Sequence, residues 1–194
     1  MRLASKKLAT KKWADFPTLF TENRQPESNF LLIPSVSSVR RKFIPIGYLS
    51  QNTIVSNLVF SVPNATLYHF GILTSTMHNA WMRQVCGRLK SDFRYSNTIV
   101  YNNFPWPKLT TNNHAAIEAA AQGVLDARAL FPNESLATLY DPDTMPPALV
   151  KAHAALDKAV DAAYVPDGGA KSYASDAVRV AFLFKRYQQL TSLI

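Results

Sequence analysis

Charged side chains occupy every second position in residues 87–96, GRLKSDFRYS, where they are Arg88, Lys90, Asp92 and Arg94. Arginine and lysine neutralise phosphates, which contributes affinity for nucleic acid that does not depend on base sequence. A carboxylate among these cations opposes such binding unless it has a specific task. One such task is to accept a hydrogen bond from cytosine N4 while a lysine donates to guanine O6 or N7.

The spacing of Lys90 and Asp92 suits this task if residues 89–93 are extended. Alternate residues of a strand point to one side and lie about 6.6 Å apart along the chain, the size of one or two base pairs. The pair would then read a G·C base pair from both edges. An ordinary surface ion pair, worth under about 1 kcal/mol, explains the pattern equally well. The residues alone favour neither the base-reading interpretation nor the surface ion pair.

The first basic segment of the chain, Arg40 to Lys42, lies before these residues and is followed by Phe43. Aromatic residues also interleave with the later cations, as Phe93 and Tyr95 do. Cations grouped in this way are typical of surfaces that hold a polyanion. The residues predicted to contact a DNA backbone are Arg40, Arg41, Lys42, Arg83 and Arg88.

Positive charge is confined to the first part of the chain. Residues 1–110 hold 14 Lys and Arg against 4 Asp and Glu, a net of +10, whereas residues 111–194 hold 7 against 9, a net of −2. A basic module joined to a near-neutral one favours a polyanionic partner for the first, most often nucleic acid. A small basic domain that binds nothing acidic is the alternative.

No arrangement for catalysis or metal binding is visible in the sequence. The four histidines lack metal-ligand spacing and are predicted to be structural or solvated. The single cysteine, Cys86, is predicted to be a small buried hydrophobic residue. A chain with one cysteine cannot form an internal disulfide, which fits a reducing cytoplasm. No glycine-rich phosphate loop is present, and no apolar run approaches the roughly 20 residues that span a bilayer. We therefore expect no catalytic site, metal, bound cofactor or membrane span in this chain.

The strands and helices predicted around these residues indicate an α+β fold. Residues 29–34, 40–49, 53–62 and 98–102 are rich in β-branched and aromatic residues and predict strands, and apolar residues recurring over 65–89 predict one long helix. Alanine-rich amphipathic segments at 114–131, 147–164 and 173–194 predict a small all-α helical bundle. We expect a mixed strand–helix domain at residues 1–110 and the bundle at residues 111–194.

Long motifs resemble a known family. The stretches SSVRRKFIPIGYL, PNATLYHFGILTSTMHNAWMRQVCGRLKSDFRYS and IVYNNFPWP resemble the target-recognition domain of MmeI-like proteins, which are single-chain type IIL restriction–modification enzymes and their methyltransferase relatives. The later stretches AAQGVLDARALFPNESLATLYDPDTMPPALVKAHAALDKAVDAAY and RVAFLFKRYQQL resemble the C-terminal helical domain of the same proteins. The resemblance covers roughly residues 12–194.

The resemblance implies a place in a larger enzyme. Members of the family join an optional nuclease domain, a helical connector, an S-adenosylmethionine-dependent adenine-N6 methyltransferase domain, the recognition domain and the C-terminal bundle. This sequence carries neither the cofactor glycines nor an Asn-Pro-Pro-Tyr type motif. We therefore expect a C-terminal portion of such a protein, whose recognition domain starts part-way through. S-adenosylmethionine would be bound by the parent's methyltransferase domain.

The resemblance also assigns base-reading positions. Lys90 and Asp92 match the two positions that read one edge base pair of the target, which implies a guanine whose cytosine partner Asp92 would read. Arg94 and Leu58 match positions linked to a neighbouring base pair. We expect sequence-specific recognition of double-stranded DNA in the cytoplasm. The alternative is a non-catalytic protein-interaction module that only tracks phosphates.

Overall fold

The computed structural model describes residues 2–16, 18–19 and 25–192, which form an α+β fold. The helices and strands in chain order are α1 (Leu8–Lys12), β1 (Phe30–Pro34), β2 (Val36–Ser37), β3 (Gly47–Leu49), β4 (Val59–Pro63), α2 (Leu67–Thr74), α3 (Thr76–Val85), β5 (Gly87–Leu89), β6 (Asp92–Arg94), α4 (Thr111–Ala129), α5 (Leu136–Leu139), α6 (Pro147–Ala163) and α7 (Asp176–Thr191). Every strand in the described ranges precedes residue 95, so the predicted fold class is confirmed.

Two three-stranded antiparallel sheets share one continuous segment of chain. β1 lies between β3 and β4, and β6 lies between β2 and β5. Only Ser35 separates β1 from β2, so the chain passes directly from the centre of one sheet to the edge of the other. The predicted strand at 29–34 is confirmed. Those at 40–49 and 53–62 form only near their C-terminal ends, as β3 and β4.

The predicted strand over residues 98–102 is wrong, because this segment is a π-helical turn, Asn97–Tyr101. The Ser96 side chain accepts a hydrogen bond from the Ile99 N–H at 3.3 Å and caps the turn. The Trp81 indole donates to the Val100 carbonyl at 3.0 Å, and Val100 is fully buried. Tertiary packing therefore overrides the β propensity of this β-branched segment.

The predicted helix over residues 65–89 is divided into α2 and α3 at Ser75, whose backbone is extended with ψ 160°. Ser75 donates its hydroxyl to the Ile72 carbonyl at 2.7 Å. The Asp157 carboxylate of α6 accepts from both the N–H and the hydroxyl of Thr76, at 2.7 and 2.5 Å. A side chain from another element thus satisfies the start of α3, where N–H groups lack intrahelical partners. The apolar periodicity continues across the break and conceals it.

The three predicted C-terminal helices are present as α4, α6 and α7. Their observed bounds lie within three residues of the predicted ones, except that Ile194 lies outside the described residues. α4 packs on α6, and both pack on α2, while α7 packs on α3. One hydrophobic core therefore extends from β1 to α7 across residue 110. The division at residue 110 into two folding units stays a prediction.

A buried polar network joins the two parts of the chain. Arg128 of α4 donates to the Tyr140 hydroxyl at 2.9 Å and to the Ile46 carbonyl at 2.8 Å. The same hydroxyl lies 2.8 Å from Nε2 of His153, whose ring stacks on Phe43 at 4.0 Å. Because the Tyr140 oxygen accepts from the arginine, its own O–H donates to His153. The segment after the basic run 40–42 is thereby anchored to the C-terminal helices.

Candidate nucleic-acid interface

The strands β5 and β6 form a hairpin with a two-residue turn. Leu89 pairs with Asp92, so Lys90 and Ser91 make the turn, and Lys90 has φ 55°. The expectation that residues 89–93 are extended is therefore wrong. Closing a hairpin in two residues requires left-handed backbone, which places Lys90 at the tip and Asp92 at the first position of β6. The two side chains consequently do not stand on one face of a strand.

The backbone of Lys90 leads to a stability prediction. A non-glycine residue in the left-handed region costs roughly 1–2 kcal/mol, and glycine gives back about 0.5–1 kcal/mol as chain entropy. We expect Lys90→Gly to raise the free energy of unfolding by about 0.5–1 kcal/mol, measured by urea denaturation. Ser91→Gly is the control, because Ser91 has no positive φ. Equal destabilisation by both substitutions would refute the left-handed turn.

Asp92 is half-buried, and its carboxylate is already in use. Its Oδ1 accepts the backbone N–H of Val39 at 3.2 Å. The strand pairing of β2 with β6 stops one step earlier, at Ser37 and Phe93. Asp92 therefore fastens the loop that follows β2 to the turn end of the hairpin. This contact links the two basic segments of the sequence at a single carboxylate.

Arg88 and Arg94 flank the hairpin and are exposed. The Arg88 guanidinium lies 4.1 Å from the centroid of the buried Phe93 ring, a cation–π contact that orients the side chain without cancelling its charge. Arg94 belongs to β6, whose backbone is paired on both sides, with Gly87 and with Val36. Both cations therefore project from a backbone that the sheet holds in place.

Leu58 is connected to the end of β6 by hydrogen bonds of Ser35. The N–H and hydroxyl of Ser35 both donate to the Leu58 carbonyl, at 3.0 and 2.6 Å. The Ser35 carbonyl accepts the N–H of Tyr95, the residue after Arg94, at 2.9 Å. One serine therefore joins the Leu58 loop to the end of β6. The Leu58 side chain is 67% exposed, so it is accessible to a partner.

The three cations of the first basic segment have different surroundings. Arg40 forms an exposed ion pair with Asp143 at 2.5 Å. Arg41 is half-buried and donates to the Ala137 carbonyl at 3.4 Å. Lys42 is exposed, with Nζ 5.1 Å from the Phe43 centroid. An exposed ion pair is worth little, so a phosphate can replace Asp143 as the partner of Arg40.

Arg83, another predicted phosphate contact, already forms an ion pair and a hydrogen bond within the protein. Its guanidinium pairs with Asp176 at 2.9 Å and donates to the Lys42 carbonyl. Burial lowers the pKa of Arg83, which the charge of Asp176 partly offsets. The side chain ties α3 to α7 and to the end of the first basic segment. Its contact with a DNA backbone stays a prediction.

Two of the four histidines are fully buried, and the cysteine is partly buried. His78 and His153 are buried and bonded to Tyr95 and Tyr140, which confirms their predicted structural role. Cys86 is half-buried, and burial raises the pKa of its thiol. Across residues 2–16, 18–19 and 25–192, no three His, Cys, Asp or Glu side chains are grouped to hold a metal ion. No helix within the same ranges is both long and apolar enough to cross a bilayer.

Three further residues at this surface were not predicted from the sequence. Val39 supplies the N–H that binds Asp92, Ser35 joins the Leu58 loop to β6, and Asp143 neutralises Arg40. Val39 acts through its backbone N–H, and two of the three Ser35 hydrogen bonds also use backbone groups, which residue type does not reveal. Asp143 is 103 positions from Arg40, so spacing carries no information about the pair.

Comparison with known proteins identifies the family. The profile described as "MmeI, target recognition domain" matches residues 1–108, and that described as "MmeI, C-terminal domain" matches residues 109–194. DNA methyltransferase A of Bacillus subtilis (strain 168) is 41% identical over 182 residues, which are 94% of this chain and 20% of that protein.

A solved structure of the type IIL restriction-modification enzyme MmeI in complex with DNA is 49% identical, with a TM-score of 0.89 over 98% of this chain and 25% of that one. The chain thus spans only a fifth to a quarter of the length of these two relatives. The resemblance found in the motifs is confirmed. The chain belongs to the MmeI family, of which it carries the target-recognition domain followed by the C-terminal domain.

Proposed function

We propose that this chain reads a specific sequence in double-stranded DNA and presents the site to a methyltransferase domain of a longer parent polypeptide. The observation that carries the proposal is the β5–β6 hairpin, whose exposed tip, Lys90 and Ser91, stands between the exposed cations Arg88 and Arg94. Leu58 adjoins the same hairpin through Ser35. The relatives named as a DNA methyltransferase and as a DNA-bound restriction-modification enzyme support it.

The hairpin has the shape and chemistry for base reading. The major groove, about 12 Å wide, admits a two-stranded β-ribbon, and its floor presents a distinct donor and acceptor pattern for each base pair. Lys90 at the tip donates to guanine, and the carboxylate of Asp92 accepts from cytosine. Arg94 and Leu58 contact the neighbouring pair. Arg40, Lys42 and Arg88, all exposed, bind phosphates on either side and set the register.

The reaction belongs to the parent. We assign to it the transfer of a methyl group to adenine N6, with S-adenosylmethionine as the donor bound in its methyltransferase domain. The present sequence has neither the glycines for that cofactor nor an Asn-Pro-Pro-Tyr type motif. The role of this chain is recognition and positioning of the DNA.

A second candidate is a protein-interaction module that binds DNA only through phosphates. Asp143 and Asp176 favour it, because they neutralise two of the five predicted phosphate contacts, Arg40 and Arg83. The two candidates differ in sequence preference. A phosphate-tracking module binds all duplexes equally at each salt concentration, whereas a recognition domain prefers one sequence.

The test is selection of duplexes from a randomised pool by the full-length parent, repeated with Lys90→Asn. Asparagine tolerates the left-handed backbone of Lys90, so the hairpin is kept and only the donor charge is lost. We expect the preference at one base pair to fall about tenfold, which is typical of a lost base contact. Lys151→Asn, an equal charge loss on the exposed surface of α6, is the control.

Two results of this experiment count against the proposal. If the parent without substitutions binds the duplexes of the pool with no preference for any sequence, the result favours the phosphate-tracking module. A preferred sequence that Lys90→Asn leaves intact would remove Lys90 from base reading. Mapping of methylated sites after exchange of Lys90 and Asp92 then decides whether the pair reads bases at all.

A further inference from the structure

We infer that the turn Ser38–Arg41 is a positioning element for base reading, in which the Val39 N–H holds one oxygen of Asp92 so that the other faces the DNA. The inference rests on the proposed function, because it concerns how the same hairpin reads its base pair. It adds a backbone group, and a loop distant in sequence, to the parts that set specificity.

The turn leaves one backbone donor free for Asp92. The chain leaves β2 at Ser37, and the Arg41 N–H donates to the Ser38 carbonyl at 3.1 Å, which closes a four-residue β-turn. Val39 is the second residue of this turn, so its own N–H is not used in closing it. That N–H donates to Oδ1 of Asp92 at 3.2 Å. The turn therefore offers the carboxylate a donor that the sheet does not need.

The Asp92 carboxylate keeps one oxygen for a further partner. Each carboxylate oxygen has two lone pairs, so Oδ1 bound to Val39 leaves Oδ2 as an acceptor. Within residues 2–16, 18–19 and 25–192, Oδ2 makes no hydrogen bond, and the side chain is only half-buried. A hydrogen bond to a charged group is strong enough to select one rotamer. The side chain is therefore ordered before DNA arrives, which lowers the entropy lost on binding.

The same turn couples Asp92 to phosphate contacts. It carries Arg40 and Arg41, and the Arg40 N–H donates to the Ser38 hydroxyl at 3.3 Å. Phosphate contacts set the position of a protein on the duplex, whereas base contacts supply specificity. Because Asp92 is fastened to the segment that holds Arg40, the base-reading carboxylate and a phosphate contact move as one unit.

A purely structural role makes a different prediction. If Asp92 only secures the end of β2, loss of the Val39 contact lowers stability and weakens binding to all sequences alike. If the contact positions Asp92 for reading, its loss affects one base pair. The two roles are separable, since the first weakens binding to every sequence equally and the second changes the preference at one base pair.

The experiment removes a single N–H. Proline is favoured at the second position of a β-turn and has no N–H, so Val39→Pro keeps the turn and deletes the donor. Val39→Ala, which keeps the donor, is the control. Both are placed in the full-length parent, and sequence preference is measured by duplex selection together with the thermal unfolding midpoint.

We expect Val39→Pro to lower the preference at one base pair by about 5- to 10-fold, less than outright loss of a hydrogen bond to a charged group, because Asp92 keeps its carboxylate and loses only its fixed orientation. Preferences at the other positions should stay as in Val39→Ala, even where loss of the hydrogen bond lowers the unfolding midpoint. Unchanged preference at every position overturns the inference, and so does a uniform loss of affinity with a lower midpoint. A parent without sequence preference before any substitution instead defeats the proposed function.

Asp92→Asn gives a second line of test. The amide oxygen of asparagine still accepts the Val39 N–H, so the turn stays fastened while the charge is lost and a donor is added. We expect this variant to keep the unfolding midpoint and to change the preferred base at one position. If the preferred sequence is unchanged, Asp92 does not read a base and the inference falls with it.

Discussion

Lowering the pH from 6.5 to 4.5 is expected to reduce the free energy of unfolding by about 2–3 kcal/mol for each of the two buried histidines, at about 1.4 kcal/mol per pH unit. Burial lowers the pKa of His78 to about 3 and that of His153 to about 3, the latter also through the charges of Arg128 and Lys42. In the unfolded chain both titrate near 6.5. The unfolded state therefore binds two more protons across this range, and stability falls with pH.

Two carboxyl groups act in the opposite direction. Burial raises the pKa of Asp157 and of Asp161, so these groups contribute stability that grows as the pH falls through their raised values. Where these two carboxyl groups take up protons in the folded state, they offset part of the stability lost through the histidines. The loss of stability per pH unit is expected to become steeper as the pH falls below 6.5, because the unfolded histidines are only half protonated at their own pKa.

Urea denaturation at half-unit pH steps measures this effect. The slope of the unfolding free energy against pH should approach about 2.7 kcal/mol per unit below pH 6, twice the value for one histidine. His153→Gln, which retains an acceptor for the Tyr140 hydroxyl, should halve the slope. The double variant with His78→Gln should abolish most of it. A slope that survives in the double variant would show that other groups titrate.

Replacement of Gly71 by leucine is expected to destabilise the protein by about 3 kcal/mol, the upper part of the usual range for an overpacked core. A Cβ at Gly71 would lie 2.7 Å from Cγ2 of Ile117, 3.2 Å from Cβ of Ala121 and 3.3 Å from Cδ1 of Leu156. All three neighbours are fully buried. The absence of a side chain therefore allows α2 to approach α4 and α6.

Two alanine variants separate packing from helix propensity. Alanine is favoured over glycine inside a helix by about 1 kcal/mol. A methyl group at Gly123 of α4 would meet no atom within 4 Å, so Gly123→Ala should stabilise by about that amount. Gly71→Ala gains the same propensity but meets the Ile117 methyl, so it should be less stable than Gly123→Ala by about 1–3 kcal/mol. Equal effects in urea denaturation would refute the close approach of α2.

The helices show what periodicity predicts well and what it misses. α4, α6 and α7 follow from apolar residues repeating every three to four positions, since each helix buries one face. The same pattern runs through residues 65–85 and conceals the break at Ser75. That break depends on Asp157, which is 81 positions from Thr76 and accepts its N–H and hydroxyl. A local pattern carries no trace of such a distant partner.

The candidate site divides in the same way. The excess of cations before residue 110, the alternating charges of GRLKSDFRYS and the long family motifs are properties of the sequence by itself, and they determined the family and the candidate residues. The β-branched segments and the apolar periodicity determined the α+β fold class. Their arrangement was decided by tertiary structure. The chain reversal at Lys90 places Asp92 beside the tip and not on one strand face with Lys90, and the Val39 N–H binds the Asp92 carboxylate. Backbone donors and long-range ion pairs are set by how the elements pack, because residue type does not encode where a main-chain N–H will point.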